Sequence, residues 1–363
     1  MCLPFFVSCT WEKALSSKLR ISLDAMGGDD APAMVIAGAA RVHKAHKHLS
    51  FIFAGDETSI QAELDQHKAL ASVSSIIHTE DTVPNDMKPG VALRQGRKSS
   101  MRLAINTVAE GEADVVLSAG NTGALMAMAK FALKTLPGVT RPAIASVFPT
   151  MTQTGTVVLD LGANIECSAR NLVEFAVLGS VYARYICHKD QPKVALLNVG
   201  SEDMKGHDHI REAADILSNS LSIGSYAGFA EGTDLNKGEF DVIVADGFTG
   251  NVALKTSEGT AKLIAQMMKE SIGSSPLSYL GYPFMLPALK KLKARIDPRL
   301  YNGGMFMGLR GLCVKSHGGT DEIGFANAIK VAHDLAQHKF NGRVAEVLND
   351  MQLDALFDVK EDS

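Results

Sequence analysis

Short apolar runs alternate along this chain with longer segments that mix apolar and polar positions at helical spacing. Apolar runs bounded by turn residues are typical of buried strands, and the mixed segments are typical of helices with one face on a core. We predict strands at Ile21–Asp24, Phe51–Ala54, Val73–Ile77, Val115–Leu117, Ala143–Phe148, Thr156–Leu159, Val194–Leu197 and after Asp241, and helices at Ala33–His46, Gly90–Glu110, from Ala124, Ala169–Tyr185, His209–Ser218 and from Gly250. The strand-then-helix order predicts an α/β fold of three layers (αβα), in which helices cover both faces of a mainly parallel sheet.

Two turns after predicted strands share a pattern. SAGNTG at 118–123 and ADGFTG at 245–250 both have glycine at the third position and Thr-Gly at the fifth and sixth. A strand that leads through a glycine turn into a helix N-terminus offers unpaired N–H groups to an anion. The alternative is an ordinary turn whose glycines only permit close packing. The repetition favours two half-sites that face one cleft.

Other polar turns are expected beside these two. Ligands of parallel α/β sheets lie beyond the carboxyl ends of the strands. We therefore expect one edge of the sheet to collect the turns that contain Asp24, Ser118, Asp160, Asn198 and Asp246.

Length and composition narrow the class of protein. A chain of 363 residues is long enough for one large α/β unit or two lobes. We expect residues 1–19 to be a disordered extension, 20–340 to be a single α/β catalytic unit, and 341–363 to be a C-terminal helix and tail. The net charge of −4 does not favour binding to nucleic acid. The five cysteines are scattered along the chain, which is typical of proteins in a reducing cytosol.

Several kinds of site are disfavoured by missing motifs. The chain has no P-loop, no G-x-G-x-x-G after its first strand and no G-x-S-x-G. His207 and His209 lack a third metal ligand at helical spacing, so we expect no metal. Cys167 is a possible acyl-carrying thiol, but a structural role is the preferred interpretation. The turns after the predicted strands instead collect Ser, Thr, Asn, Gly and Lys205, which are residues that can bind a phosphate or another oxyanion.

Six motifs together resemble one family. They are LDAMGGD at 23–29, SAGNTGALMA at 118–127, LDLGAN at 159–164, ALLNVG at 195–200, DGFTGNVALK at 246–255 and LRGLCVKSHG at 309–318. This set is similar to the bacterial phosphate acyltransferases, the acyl-[acyl carrier protein]:phosphate transacylases of phospholipid synthesis. The resemblance runs from about Arg20 to about His338, and Asp30 departs from it, because a His or an aromatic residue is expected after GGD.

The resemblance implies a reaction and its partners. A fatty acyl group would pass from acyl carrier protein to inorganic phosphate without a cofactor or metal. The fold would be related to isocitrate/isopropylmalate dehydrogenases and phosphotransacetylases. The protein would be a cytoplasmic homodimer at the inner face of the cell membrane, acting beside an acyl phosphate–glycerol-3-phosphate acyltransferase.

Roles for particular residues follow from the resemblance and from their chemistry. We place phosphate in the turn formed by Ser118, Asn121, Thr122 and Gly123. Lys205 and Asn251 are the candidates for electrostatic stabilisation of the transition state, oriented by Asp160, Asn164 and Asp246. His317 is a weaker candidate for an acid. All of these side chains have an alternative role as caps of loops and helices.

A basic amphipathic stretch at about 274–300 is predicted to form a helical element that projects from the α/β unit. Met285, Leu289, Leu292 and Ile296 recur at helical spacing. The stretch has three interpretations: a core helix with a solvated face, a dock for an acidic partner, or a membrane-surface anchor. We favour a projecting element that contacts anionic lipid and the carrier protein through Leu289, Lys290, Lys291, Lys293, Arg295 and Arg299.

Two other classes of protein remain as alternatives to the acyltransferase. One is a non-catalytic carrier-protein or membrane-binding adaptor on the same fold. The other is a decarboxylating dehydrogenase, which the missing cofactor motif disfavours.

Overall fold

The computed structural model describes residues 18–152, 154–273, 284–289, 291–292, 297–351 and 357. Residues 1–17 of the predicted extension, and the predicted contacts through Lys290, Lys293 and Arg295, lie outside these residues. The boundary predicted after residue 19 is wrong, because the buried Leu19 already belongs to the first strand. The strands are β1 (Leu19–Asp24), β2 (Leu49–Gly55), β3 (Ser74–His78), β4 (Val115–Ser118), β5 (Ala143–Phe148), β6 (Thr156–Leu159), β7 (Lys193–Leu197), β8 (Ser225–Ala230), β9 (Val242–Val244), β10 (Gly304–Met307) and β11 (Leu312–Lys315). The helices are α1 (Ala33–Ala45), α2 (Glu57–Leu64), α3 (Lys68–Ala71), α4 (Pro89–Gln95), α5 (Ser100–Ala109), α6 (Thr122–Leu133), α7 (Ala169–Tyr185), α8 (Asp208–Ser220), α9 (Gly247–Gly273), α10 (284–289 and 291–292), α11 (Glu322–Gln337) and α12 (Phe340–Met351).

All of these strands belong to one sheet in the order β3-β2-β1-β4-β11-β10-β5-β6-β9-β7-β8. One face of the sheet is covered by α1, α7, α8, α11 and α12, whose apolar side chains share a core with alternate strand residues. The other face is covered mainly by α4, α5 and α6. The predicted three-layer α/β class with a mainly parallel sheet is confirmed.

The two halves of the sheet run in opposite directions. β10 is antiparallel to β11 and to β5, and β5 is antiparallel to β6, whereas the pairings on either side of this centre are parallel. Three successive reversals leave β6, β9 and β7 pointing against β1, β4 and β11. The expectation that all the polar turns share one edge is therefore wrong, because the carboxyl ends of the two halves lie at opposite edges.

The helix predicted over Gly90–Glu110 is two helices. α4 ends at Gln95, and the Ser99 hydroxyl starts α5 by accepting a hydrogen bond from the N–H of Arg102 at 3.3 Å. Gly96 lies at the break, where a Cβ would come within 2.7 Å of the methyl group of Met128. Gly111 follows α5 with a φ of +76°, the left-handed conformation in which glycine commonly ends a helix.

α12 extends the core beyond the predicted catalytic unit. The boundary predicted between 340 and 341 falls at the start of this helix, where Phe340 is fully buried. In the part of the chain that the structure describes, every helix is too short or too polar to cross a membrane.

Candidate functional site

The carboxyl ends of β1, β4 and β11 meet in a group of side chains that we call the Ser118 cluster: Asp24, Ser100, Ser118 and Lys315. The buried Asp24 carboxylate accepts hydrogen bonds from the hydroxyls of Ser118 at 2.7 Å and Ser100 at 2.6 Å. Beside it, the Lys315 ammonium donates to the carbonyl oxygens of Ala119, at 3.3 Å, and Ser316. The cluster therefore holds a carboxylate and an ammonium behind the turn that leads into α6.

Burial perturbs both charged groups of the Ser118 cluster. Desolvation raises the pKa of Asp24, although two hydroxyls and a backbone N–H bind its ionised form. Desolvation lowers the pKa of Lys315 to about 8, against the opposing effect of Asp24 and Asp29. Perturbed groups of this kind concentrate at functional sites. Neither Ser100 nor Lys315 was predicted as a site residue, although Lys315 ends an apolar run and lies in the 309–318 motif.

The residues predicted to hold phosphate lie at the start of α6. The Asn121 side chain caps this helix, because its Oδ1 accepts a hydrogen bond from the N–H of Ala124 at 3.0 Å. Its Nδ2 donates to the carbonyl oxygens of Asn85 at 2.8 Å and Met87 at 3.0 Å. Asn121 thus ties α6 to the loop before α4. The N–H groups of Thr122 and Gly123 belong to the first turn, where a helix has no internal acceptor.

Gly123 has a packing role in addition to its predicted one. A Cβ at this position would lie 2.7 Å from the Cγ of Pro89, the first residue of α4. Glycine is therefore required for α4 to lie against α6. A substitution of Gly123 would disturb this contact as well as any anion.

An open cavity of about 160 Å³ adjoins the Ser118 cluster, lined by Asp24, Ser100, Gly120, 26–28 and 82–85. A larger cavity of about 270 Å³ lies at the other end of β11, lined by residues such as Val108, Arg310 and Phe340. None of the predicted site residues lines the larger cavity.

The other predicted site residues form a second group, the Asp160 cluster: Asp160, Asn164, Asp246 and Asn251. The fully buried Asp160 carboxylate accepts hydrogen bonds from the backbone N–H groups of Ile144, Gly162, Ala163 and Asn164, and from the Asn164 side chain. Desolvation nevertheless raises its pKa. This carboxylate fixes the 160–164 turn after β6.

α9 begins against that turn. The N–H of Gly247 donates to the carbonyl oxygen of Asn164 at 2.7 Å. The Asp246 carboxylate caps the helix by accepting hydrogen bonds from the N–H and the hydroxyl of Thr249, both at 2.8 Å. The exposed Asn251 side chain lies beside Gly162, where a Cβ would be 3.6 Å from it. The structure thus brings Asp160, Asn164, Asp246 and Asn251 together.

Lys205 lies in the loop after β7, on the same side of the sheet as the Asp160 cluster. Its ammonium pairs with Glu202 at 2.8 Å, and 49% of its side chain is exposed. The side-chain amide of Asn198 holds this loop by donating to the carbonyl oxygen of Lys205 at 3.0 Å. Lys205 is therefore an accessible cation near the carboxyl ends of β9 and β7.

α9 connects the two clusters. Along the sheet, β4 and β6 are four strands apart, which is about 19 Å. Lys255, one helical turn after Asn251, is close enough to lower the pKa of both Lys315 and His317 by its charge. Desolvation, and after it the charge of Lys255, lowers the pKa of the exposed His317. The two clusters therefore lie at opposite edges of the sheet, and α9 starts at the Asp160 cluster and brings the charge of Lys255 near Lys315.

Cys167 lies next to the Asp160 cluster but does not have the properties of a nucleophile. Its side chain is buried, and desolvation and the charge of Asp160 raise the pKa of the thiol to about 12. A thiol acts as a nucleophile only as the thiolate. These properties favour the structural role preferred from the sequence.

Part of the predicted projecting element is described. The side chains of Phe284 and Met285 on α10 are 88% and 52% exposed, Lys291 is exposed, and Leu289 is partly buried. Arg299 differs from these residues, because its guanidinium forms ion pairs with Asp297 at 2.6 Å and Asp321 at 2.7 Å. Asp321 also caps α11, so Arg299 joins this cap to the turn that precedes β10.

Comparison with known proteins gives a consistent result. The profile of a family described as "Fatty acid synthesis protein" matches residues 19–343. The chain is 57% identical to a phosphate acyltransferase of Rhodospirillum centenum over 338 residues, covering 93% of this chain and 95% of the relative. A phosphate acyltransferase of Paramagnetospirillum magneticum is 52% identical over 330 residues, covering 91% of this chain and 94% of the relative.

Solved structures share the fold at lower identity. A phosphotransacetylase from Streptococcus pyogenes superposes with a TM-score of 0.62 at 19% identity, covering 88% of this chain and 94% of that one. The EutD phosphotransacetylase from Staphylococcus aureus superposes with a TM-score of 0.57 at 18% identity, with the same coverage. At these identities the superpositions show a common fold.

Proposed function

This chain belongs to the phosphate acyltransferase family, and on that premise we propose that it transfers a fatty acyl group from acyl-[acyl carrier protein] to inorganic phosphate. A phosphate oxygen attacks the thioester carbonyl carbon, the C–S bond breaks, and the products are acyl phosphate and the carrier thiol. The acyl phosphate then serves phospholipid synthesis. No cofactor is needed, because the acyl group is already activated as a thioester.

The chemistry demands little acid or base catalysis. Phosphate is already an anion at neutral pH, and a thiol of pKa about 8.5 leaves as a thiolate with modest help. The main requirements are to hold phosphate in position and to stabilise the oxyanion that develops on the carbonyl oxygen. Cations and fixed N–H donors meet both requirements.

We place phosphate at the Ser118 cluster. The observation that carries this placement is the partly buried Lys315 ammonium, which lies behind the first turn of α6 in a cluster whose Asp24 and Ser100 line an open cavity. The N–H groups of Thr122 and Gly123, the positive end of the helix dipole and the ammonium all favour an anion there. In this proposal Ser118 and Asn121 hold the turn in shape through Asp24 and the 84–87 loop.

We place the acyl donor along α9, which starts at the Asp160 cluster. Asn251 is exposed in the first turn of this helix, Lys205 follows the strand next to β9, and the charge of Lys255 acts on Lys315. Asp160, Asn164 and Asp246 orient the helix start through their hydrogen bonds. Because the two clusters lie four strands apart and at opposite edges of the sheet, Lys205 and Asn251 would contact the carrier end of the donor rather than the phosphate.

The partners and location belong to the same proposal. The middle of α9 exposes Leu263, Ile264 and Met267, an apolar surface that a second copy of the chain would cover in a homodimer. Phe284 and Met285 of α10 would contact an anionic membrane together with the basic residues around them. The protein would then work in the cytoplasm at the inner face of the membrane, and pass acyl phosphate to an acyl phosphate–glycerol-3-phosphate acyltransferase.

The test is a direct assay of the reaction. Purified full-length protein is incubated with acyl-[acyl carrier protein] and phosphate, hydroxylamine traps the acyl phosphate as a hydroxamate, and the freed carrier thiol is counted. We expect hydroxamate and thiol in equal amounts, both dependent on phosphate. Carrier binding without either product would favour the adaptor, and a reaction that requires a nicotinamide cofactor would favour the dehydrogenase.

A further inference from the structure

Three histidines meet at the edge of the sheet opposite to the Ser118 cluster. His46 follows α1, His48 precedes β2, and the buried His333 lies in the second half of α11. One ring nitrogen from each lies within 4.8 Å of the others. Of all the His, Cys, Asp and Glu side chains that the structure describes, only these three form such a group.

We propose that His46, His48 and His333 bind one divalent transition-metal ion, with Zn²⁺ as the best fit. Neutral imidazole nitrogens are preferred Zn²⁺ ligands, and three of them leave a fourth position for water. This site is separate from the proposed reaction and does not depend on it.

The geometry of two of the rings already matches a metal centre. His48 Nε2 and His333 Nε2 are 3.2 Å apart. Two nitrogens bound tetrahedrally at 2.0–2.1 Å from one Zn²⁺ are about 3.3 Å apart. A zinc ion could therefore replace the hydrogen bond between these rings with little movement of either.

The third ring needs a small adjustment. The ring centres of His46 and His333 are 5.1 Å apart, and those of His46 and His48 are 5.9 Å apart. Bringing a nitrogen from 4.8 Å to the tetrahedral spacing requires a shift of about 1.5 Å. His46 is partly exposed and follows the last residue of α1.

A carboxylate orients the buried ligand. Asp334 Oδ1 lies 2.9 Å from His333 Nδ1. If Nδ1–H donates to this carboxylate, the lone pair of Nε2 points toward His48, and the ring becomes a stronger ligand. Carboxylate–histidine pairs of this kind support many zinc sites.

The expected consequence is a link between two elements. α1 and α11 lie side by side on one face of the sheet, and a metal at their ends would join α11 to the turn that leads into β2. A ligand that binds only the folded state raises the melting temperature by mass action. Zn²⁺ should therefore stabilise the protein without changing its reaction.

The test uses untagged, full-length protein stripped of metal. Zn²⁺ binding is measured by calorimetry, Co²⁺ is used as a spectroscopic probe of tetrahedral coordination, and melting temperature is followed with each. We expect one ion per chain, intense visible absorption of Co²⁺ that Zn²⁺ abolishes, and a rise in melting temperature.

Two variants and one control make the assignment specific. His48→Gln changes a partly exposed ligand and should abolish stoichiometric binding, and Asp334→Asn should weaken binding by about 10- to 100-fold while the ligands remain. The control is His207→Gln combined with His209→Gln, which alters another adjacent histidine pair whose ring centres are 5.5 Å apart. Unchanged binding in folded His48→Gln, or no stoichiometric Zn²⁺ binding by the wild-type protein, would overturn the proposal.

Discussion

At the scale of single residues, Lys315 is the group whose charge should matter most for phosphate. Lys315→Met removes an ammonium that a phosphate dianion would contact, and a charge-assisted hydrogen bond contributes about 1.5–3 kcal/mol. We expect the apparent KM for phosphate to rise at least about 10-fold, while the KM for the acyl donor changes little. Lys130→Met, at the exposed far end of α6, is the matched control.

The lowered pKa of Lys315 adds a pH signature. The side chain is charged below a pH of about 8 and loses its charge as the pH rises through that value. The wild-type KM for phosphate should therefore increase above pH 8, where phosphate itself no longer titrates, and Lys315→Met should not show this increase. The same increase in the variant would rule out Lys315 as its source.

Lys205 and Lys237 offer a matched pair of surface cations. Both are accessible, with side chains 49% and 41% exposed, and each pairs with a carboxylate three residues earlier. Lys205→Ala should raise the KM for acyl-[acyl carrier protein] without changing the KM for phosphate, and the effect should shrink in high salt. Lys237→Ala should change neither constant. A fall in kcat at constant KM for both substrates would instead assign Lys205 to the transition state.

Asp160 and Asp246 should differ sharply in their effect on stability. Asp160→Ala leaves several buried N–H donors without an acceptor, so we expect a loss of at least about 3 kcal/mol in the free energy of unfolding. Asp246→Ala removes one helix cap and should cost about 1 kcal/mol. Denaturant unfolding measures both, and equal losses would contradict this division of roles.

At the scale of elements, α9 and α10 present two apolar surfaces with different proposed occupants. Phe284→Glu on α10 should abolish binding to anionic vesicles and leave the dimer intact. Leu263→Glu on α9 should disrupt the dimer, which sedimentation measures, and leave binding to anionic vesicles intact. Each variant is a control for the other, and Phe131→Glu, which alters an exposed phenylalanine on α6, should affect neither. Loss of both properties in either variant would mean that the two surfaces are one.

At the same scale, the local pattern of apolar and polar residues predicted most helices and strands, but it failed where contacts between distant parts of the chain determine the structure. The apolar strands at Val115–Leu117 and Thr156–Leu159 were recognised because turn residues bound them. β10 and β11 were not assigned, since four-residue apolar runs do not distinguish a strand from a helix. The break between α4 and α5 was missed: Gly96 there leaves room for Met128 of a different helix, a contact that local pattern does not show, and the Ser99 cap was not recognised.

At the scale of the whole molecule, the direction of each strand could not be read from the sequence. The predicted contacts within 160–164 and at the start of α9 are short in sequence, and the structure brings those residues together. The proximity of Asp24 and Lys315 depends instead on β11 entering the sheet beside β4. Whether the two similar turns share an edge depends on the antiparallel strands β10 and β5.

The position of β10 and β11 also has a consequence for synthesis on the ribosome. The edge of β4 is covered by residues 312–315, which are translated long after β4 itself. Until they emerge, the nascent chain carries an unpaired apolar strand edge, a surface prone to aggregation. We expect nascent chains stalled before residue 304 to remain sensitive to protease and to bind chaperones, and those stalled well after residue 337 to become resistant. Resistance of the first half before β11 has emerged would mean that β4 acquires another partner during translation.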